Sequence, residues 1–355
     1  MTQVTAERSP LTIGLDVGDT FTHFCVLDAE RKVLHRGKFK TGQGGLRYAL
    51  KRWRGALVVL EAGSQSPWMS RALAAEGYAV HVADPRRVQL LSKDPRKSDR
   101  RDAETLARFG RLGPELIGQV YHRGEQAQAD LSIVRSRDLT VRLRTSIVQQ
   151  IRSLSKAFGC RLPNASTRAF PEKLREFVPA ILLPAVNPLL ELLESLTKTI
   201  KHYDQELAAI ARKRYRETER LQKVPGVGPV TAIAFVLTIE DPSRFATSRR
   251  VGSWLGLCPR SQASGDKDPD LPITKAGDSY LRRLLVQCAH CLLSRGKDCD
   301  LKRFGERLLR RGGGRGARRK VITAIARKLA VLLHALLRSG HDFDPDYLLR
   351  RARAA

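Results

Sequence analysis

Acidic side chains, long apolar runs and clustered cysteines are all scarce in this chain of 355 residues. Asp and Glu total 36 against 64 Lys and Arg, for a formal charge of +28. A surplus that large raises the local concentration of polyanions and speeds their encounter, so nucleic acid is the default partner. A membrane surface is the other partner that suits a basic chain. No run of about 18 consecutive apolar residues is present, so the composition predicts no bilayer span. The first ten residues are polar and lack the apolar centre of a signal peptide, and the expectation is a cytoplasmic protein. The six cysteines, at 25, 160, 258, 288, 291 and 299, form no disulfide framework. Cys288 and Cys291 have C-x-x-C spacing, with His290 between them and Cys299 downstream. They share a helical apolar pattern with Leu281, Leu284, Leu285 and Leu292, which favours buried structural thiols over a zinc site needing four placed ligands.

The N-terminal part alternates short apolar runs with amphipathic ones. Residues 11–17 read as an apolar strand and residues 20–27 (TFTHFCVL) as an alternating one, joined through the turn pair Gly18-Asp19. Residues 32–40 read as a third strand and 46–53 as a helix. The run at 56–60 (ALVVL) suits a buried parallel strand. A helix at 67–76, with Pro67 in its first turn, a strand at 78–82 and a helix at about 98–109 complete the segment. A three-strand meander followed by helix, strand, helix, strand, helix is the order of an RNase H-like α/β sheet.

Residues 127–158 read as one long helix. It carries Arg135, Arg137, Arg142, Arg144, Arg152 and Lys156 against two acids, Asp130 and Asp138. Such a face suits nucleic-acid backbone as well as plain solvation. Prolines at 163, 171, 179, 184 and 188 punctuate the next stretch. Beyond them Leu189, Leu193, Leu196, Ile200, Tyr203, Leu207 and Ile210 recur at alternating steps of four and three. That is one apolar seam, fit for a coiled-coil arm that joins subunits or packs on its own chain. The remainder reads as mainly α, with a Gly/Arg stretch at 310–320 and an apolar-rich helix at 321–337. The domain reading is residues 11–160 for the α/β domain with its basic helix, 161–220 for linker and arm, and 221–355 for a mainly α C-terminal domain.

Four acids in the first domain stand out. Asp16 lies in the first strand, Glu61 closes the buried strand, and Asp99 and Asp102 are three apart on one helix face. Acids at the ends of buried strands are costly unless their charge is compensated. A pair of divalent ions about 4 Å apart would do so, and such ions stabilise the attacking and leaving oxygens of a phosphodiester displacement. Oxygen-only ligands favour Mg²⁺ or Mn²⁺. Singly, Asp16 could equally cap a turn, and Asp99 and Asp102 could pair with Arg100, Arg101 or Lys97. The segment from Asp16 to Thr20 also looks like the first phosphate loop of actin-like sugar kinases, but no second Gly-rich phosphate loop follows. In the C-terminal domain, Val224 to Val230 (VPGVGPV) is similar to the hairpin of helix-hairpin-helix modules, in which Gly226 and Gly228 would let backbone N–H groups approach a phosphate. A second polar motif, GLCPRSQASG at 256–265, precedes ITKAGD at 273–278 and a helix carrying Arg282 and Arg283. A serine there becomes a nucleophile only with a base or metal, and with cations to hold the phosphate.

These motifs together resemble the DEDD-type insertion-sequence transposases, the group described as bridge-RNA-guided recombinases. The resemblance rests on IGLDVG, VVLEAGS, KSDRRDAETLA, VPGVGPVTA, GLCPRSQASG and ITKAGDSYLRRLLVQCA, and it spans nearly the whole chain. It implies a RuvC-like N-terminal domain with Asp16, Glu61, Asp99 and Asp102 as a Mg²⁺-binding tetrad. It further implies a C-terminal catalytic serine at Ser264, or Ser261 in a shifted register, that attacks DNA and forms a phosphoserine link. Donor and target DNA, a structured guide (bridge) RNA and a homo-oligomer from dimer to tetramer are the implied partners, acting at the bacterial nucleoid. The basic helix at 127–158 and the 310–320 stretch, with Arg315, Arg318 and Arg319, would contact that RNA. A plain RuvC-like endonuclease that uses water needs the tetrad and no serine. A non-catalytic binder needs neither.

The charge surplus predicts that affinity for DNA or RNA falls steeply between about 50 and 200 mM salt. Filter binding across that range checks it, and a flat response would remove the polyanion reading of the charge.

Overall fold

Alternating apolar residues in the N-terminal part build one sheet whose two faces receive different helices. The structure, a computed structural model, describes residues 10–91, 98–164, 175–261, 271–312, 314, 316–348 and 350. Strands β1 (Thr12–Val17), β2 (Phe21–Leu27), β3 (Val33–Lys40), β4 (Leu57–Glu61) and β5 (Ala79–Ala83) lie in the order β3-β2-β1-β4-β5. The first three form an antiparallel meander, and β4 and β5 run parallel to β1. This is the RNase H-like arrangement expected from the element order.

Helices α1 (Gln43–Leu50) and α2 (Ser66–Ala75) cover one face. There Ile13, Leu15, Phe24, Val26, Val58 and Leu60 pack with Leu46, Leu50, Met69 and Leu73. A short α3 (Pro85–Leu91), absent from the sequence expectation, buries only Val88, too little apolar patterning to announce it. Helix α4 (Asp99–Leu112) covers the opposite face, where Ala103 and Ala107 meet Cys25 and Leu27, and Leu106 meets Val59. Its approach to β1 is backbone-close. A Cβ placed on Gly14 would lie 2.0 Å from the Ala103 carbonyl oxygen, and one on Gly110 would lie 2.4 Å from a Val59 methyl.

The chain's contacts divide it at Gly124 and Glu125. Helix α5 (Glu125–Ala157), grouped with the α/β domain in the sequence reading, packs within the second unit. The reason is its partner, α6 (Leu183–Arg214). Buried Asp130 near the start of α5 accepts two bonds from Arg214 at the end of α6, at 2.6 and 3.1 Å, and one from Tyr215 at 2.8 Å. Val148 and Ile151 near the other end of α5 pack with Leu190 and Leu193 near the start of α6, so the two helices are antiparallel. The heptad seam is buried at Leu193, Ile200, Leu207 and Ile210. Toward its N-terminal end the buried positions are Val186 and Leu190, not Leu189. The chain's own α5 thus occupies much of the seam that could have joined subunits. Ala180–Arg214 is also long and apolar enough, by composition, to cross a membrane. Its buried Val186, Leu190, Leu193, Leu207 and Ile210 line cores shared with α5.

The rest of the second unit is mainly helical among the described residues. It comprises α7 (Glu217–Gln222), α8 (Pro229–Ile239), α9 (Arg249–Trp254), α10 (Ser279–Arg295), α11 (Asp300–Arg311) and α12 (Ala317–Ser339). Helix α8 is buried on every side from Thr231 to Ile239, which is why it is apolar without a polar face. Cys288 is buried beside it, and its thiol donates to the Thr231 hydroxyl at 3.4 Å.

Gly14→Ala is expected to lower the unfolding free energy by about 3 kcal/mol, because backbone cannot yield as a side chain does. Gly44→Ala in α1 meets nothing within 4 Å and should instead stabilise by about 0.5–1 kcal/mol. Urea unfolding of both variants checks the contrast. Equal effects would mean that α4 does not need the bare backbone at Gly14.

Candidate metal centre and nucleic-acid contacts

Strand register brings the first acids together. The parallel pairing of β1 and β4, from Thr12–Leu57 to Leu15–Leu60, sets Asp16 beside Glu61 on adjacent strands. Asp99 and Asp102 occupy the first turn of α4, where acids complement the positive end of the helix dipole. Because α4 is seated on β1 at Gly14, that first turn stands over the end of β1. Asp16 and Asp102 are half-buried, while Glu61 and Asp99 are exposed.

The electrostatics record the convergence. The Asp16 carboxyl is pushed up from its ordinary 3.8 to about 6, first by burial and then by the negative charges of Asp99, Asp102 and Glu61, with His23 pulling the other way. All four acids singled out from the sequence therefore lie within electrostatic reach of one point. Such a cluster is compensated by a hard divalent cation, and carboxylate oxygens are the donors that Mg²⁺ and Mn²⁺ take. The structure adds a residue that the sequence reading missed. His23 is the cross-strand partner of Asp16 in the β1–β2 pairing. Its Nδ1 lies 3.6 Å from an Asp99 carboxylate oxygen, and ligand atoms of Asp16, His23 and Asp99 all lie within 4.8 Å of one another. The signal was available: a strand pair closed by the Gly18-Asp19 turn places the residue seven after Asp16 opposite it.

The basic residues fare differently. Arg135 pairs with Asp278, Arg137 with Asp204 at 2.5 Å, and Arg142 and Arg283 share Asp138. Arg152 donates to the carbonyls of Leu162 and Pro163, and Arg282 to those of Leu255 and Ala276. Arg144 differs: its Nε is buried without a hydrogen-bond partner, and burial together with the nearby Arg137 charge pulls its guanidinium below the ordinary value. Arg318 and Arg319 are exposed in the first turn of α12, where no acid stands and the helix dipole opposes cations. Arg315 lies outside the described residues.

Gly226 has φ 87°, and a Cβ there would lie 2.8 Å from the Cys288 carbonyl oxygen, so this glycine serves the packing of the turn on α10. Gly228 is the N-cap of α8. Asp278, the last residue of the ITKAGD motif, caps α10 by accepting from the Leu281 N–H at 2.8 Å. Ser264 lies outside the described residues. Ser261 is exposed, just beyond a bridge between Pro259 and Ile273 that is fixed by Arg260 N–H to Pro272 and Thr274 N–H to Cys258.

Comparison with known proteins aligns with both units. Residues 13–158 match a DEDD transposase profile of the IS110 group, and residues 218–305 match the transposase IS116/IS110/IS902 family. The chain is 30% identical over 344 residues to a probable family 20 transposase of Pseudomonas aeruginosa, covering 94% of this chain and 98% of that one. It is 29% identical over 340 residues to the transposase for insertion sequence element IS1111A of Coxiella burnetii, covering 92% and 89%. A pilin gene-inverting protein of Moraxella lacunata matches at 30% over 125 residues, 35% of this chain and 38% of that one. RuvC of Thermus thermophilus aligns at 20% identity with a TM-score of 0.23, over 29% of this chain and 96% of that one, too low a score to bear on the fold.

The raised Asp16 value has a signed consequence. The folded chain binds this proton more tightly than the unfolded chain, so Asp16 withdraws stability from the metal-free protein as pH rises from about 4 to about 6. The melting temperature of wild type minus that of Asp16→Asn should fall across that window. Mn²⁺ should restore the difference at pH 7 and do little at pH 4.5. Parallel curves for the two proteins would show that Asp16 is not in the charge cluster described.

Proposed function

The chain belongs to the IS116/IS110/IS902 family of insertion-sequence transposases, and from that premise we propose that it cuts and rejoins DNA with a carboxylate-held divalent metal and a serine nucleophile. The observation that carries the reading is the reach of the Asp99, Asp102 and Glu61 charges to Asp16. These four side chains would hold Mg²⁺ or Mn²⁺. When bound, the ion polarises phosphodiester oxygens and offsets the charge that builds on them. The protein's part is placement: the strand register orients Asp16 and Glu61, and α4 carries Asp99 and Asp102.

Ser264, or Ser261 in the shifted register, supplies the nucleophile. Its oxygen attacks phosphorus and the bond to the leaving DNA oxygen breaks. The serine proton passes to that oxygen, leaving a phosphoserine on one DNA end and a hydroxyl on the other. Attack by the hydroxyl of a second DNA end reverses the step and joins the strands. Arg144, Arg318 and Arg319 are the readiest phosphate contacts, since the Nε of the first is buried without a hydrogen-bond partner and the helix dipole opposes the other two. Arg135, Arg137, Arg142, Arg152, Arg282 and Arg283 would reach a phosphate only by exchanging a present partner for it. Gly226 and Gly228 would offer backbone N–H groups beside it. A structured RNA would choose donor and target by base pairing, and the working assembly would be a homo-oligomer up to a tetramer at the nucleoid. A second reading, a RuvC-like endonuclease that uses water, draws on the fact that all four carboxylates lie in the first unit, which has its own core.

Incubation with element-end DNA, the element's flanking RNA and Mg²⁺ separates the two. The expected product is a protein–DNA adduct on a denaturing gel. Ser264→Ala should abolish adduct and joining, and Asp16→Asn should lower all cleavage by about a thousandfold or more, as for a group acting in concert with its neighbours. Cleavage without any adduct in wild type selects the endonuclease, and full activity in excess chelator ends the carboxylate assignment.

A further inference from the structure

The acids just described leave one neighbour without a role. His23 projects from β2 on the sheet face that α4 covers, the face of Gly14, Asp16 and Cys25. Directly opposed residues of an antiparallel pair hold their Cβ atoms about 4.5–5.5 Å apart, so the pairing alone commits the imidazole to the neighbourhood of Asp16. The Nδ1 separation of 3.6 Å from the Asp99 oxygen is too long for a hydrogen bond. An octahedral ion with donors at about 2.1 Å separates neighbouring donors by about 3 Å and opposite ones by about 4.2 Å. The mutual spread of 4.8 Å or less among the Asp16, His23 and Asp99 ligand atoms therefore needs only a slight contraction around one ion. Asp99, at 71% side-chain exposure, is free to make that movement. Among the described residues, Asp99 is the only ion-pair partner within 4 Å of His23.

We infer that His23 is a nitrogen ligand of the divalent metal held by Asp16 and Asp99, making this a mixed nitrogen and oxygen centre instead of an all-carboxylate one. The inference rests on the reading of those acids as metal ligands given under Proposed function. It has a chemical consequence. Mg²⁺ prefers oxygen donors and gains little from imidazole, whereas transition ions gain more. The centre should thus favour Mn²⁺ over Mg²⁺ more strongly than its carboxylates alone would.

The test uses the full-length protein loaded with Mn²⁺ at fixed pH and examined by pulsed electron paramagnetic resonance. Wild type should show nitrogen modulation on the bound Mn²⁺. The modulation should change to the ¹⁵N pattern when histidine is ¹⁵N-labelled, and it should vanish in His23→Asn. In titrations, His23→Asn should weaken Mn²⁺ binding by about tenfold, and Mg²⁺ binding by less. Mn²⁺ that binds in wild type, is lost in Asp16→Asn and carries no nitrogen modulation would overturn the His23 assignment and leave the carboxylate reading standing. Mn²⁺ binding indifferent to Asp16→Asn would overturn both. Because the decisive signal is read on wild type, the result does not depend on how well the variant folds.

Discussion

Everything at the acidic cluster depends on helix α4 lying against strand β1 with no side chain between them at Gly14. Small residues on both sides, Gly14 on the strand and Ala103, Ala107 and Gly110 on the helix, allow an approach that one methyl group would block. The consequence travels along the helix. Asp99 is one turn before Ala103 and Asp102 immediately before it, so seating that alanine on Gly14 delivers their carboxylates to the end of β1, two residues on, where Asp16 stands. A larger residue at Gly14 would leave each acid in place on its own element and still separate them. The site is thus a property of a packing distance, and the acids express it.

That packing creates a charge problem that the chain handles differently at neighbouring positions. Glu104, two residues after Asp102 on α4, is neutralised by both Arg36 and Arg108, and Glu76 on the other side of the sheet receives Arg47 and Arg54. In a chain with nearly twice as many bases as acids, this is the ordinary fate of a carboxylate. Asp16 instead has three further carboxylates as its charged surroundings, with His23 as the neighbour that eases its ionisation. Like charges held together this way raise the cost of ionising Asp16, and a divalent cation would offset that cost.

The α/β part of the fold was legible because its signals are local: period-two strands, a turn pair between β1 and β2, a continuous apolar run at β4, and a helix with its acids in the first turn. The four acids stood out for the same reason, each near an element end; in the structure Asp16 and Asp102 are half-buried and Glu61 and Asp99 exposed. His23 was not singled out, since a histidine in an alternating strand signals nothing until the β1–β2 register sets it opposite Asp16. The seam of α6 was visible in its heptads, but its partner was not. What decides that it packs on α5 includes Asp130 meeting Arg214 and Tyr215, more than eighty positions downstream, and no periodicity encodes such a pairing. Asp278 was read as part of a motif and is a helix cap, a role that its place before an apolar helical run could have disclosed.

The same long-range pairing bears on what a net charge of +28 means. Counted along α5, the arginines form a basic stripe. In space, Arg135 and Arg137 face aspartates on α10's cap and on α6 and fasten helices together, while Arg142 pairs with Asp138 within α5 itself. A cation already bonded to a carboxylate contributes little to the field that a polyanion meets. The residues that do contribute are those placed against their own electrostatic interest, as Arg318 and Arg319 are at the positive end of α12. A helix start carrying cations and no acid is destabilised in isolation, and an anion bound there would remove the strain. The composition points to nucleic acid as the partner. Under the function proposed here, the contact would fall where the fold leaves charges uncompensated.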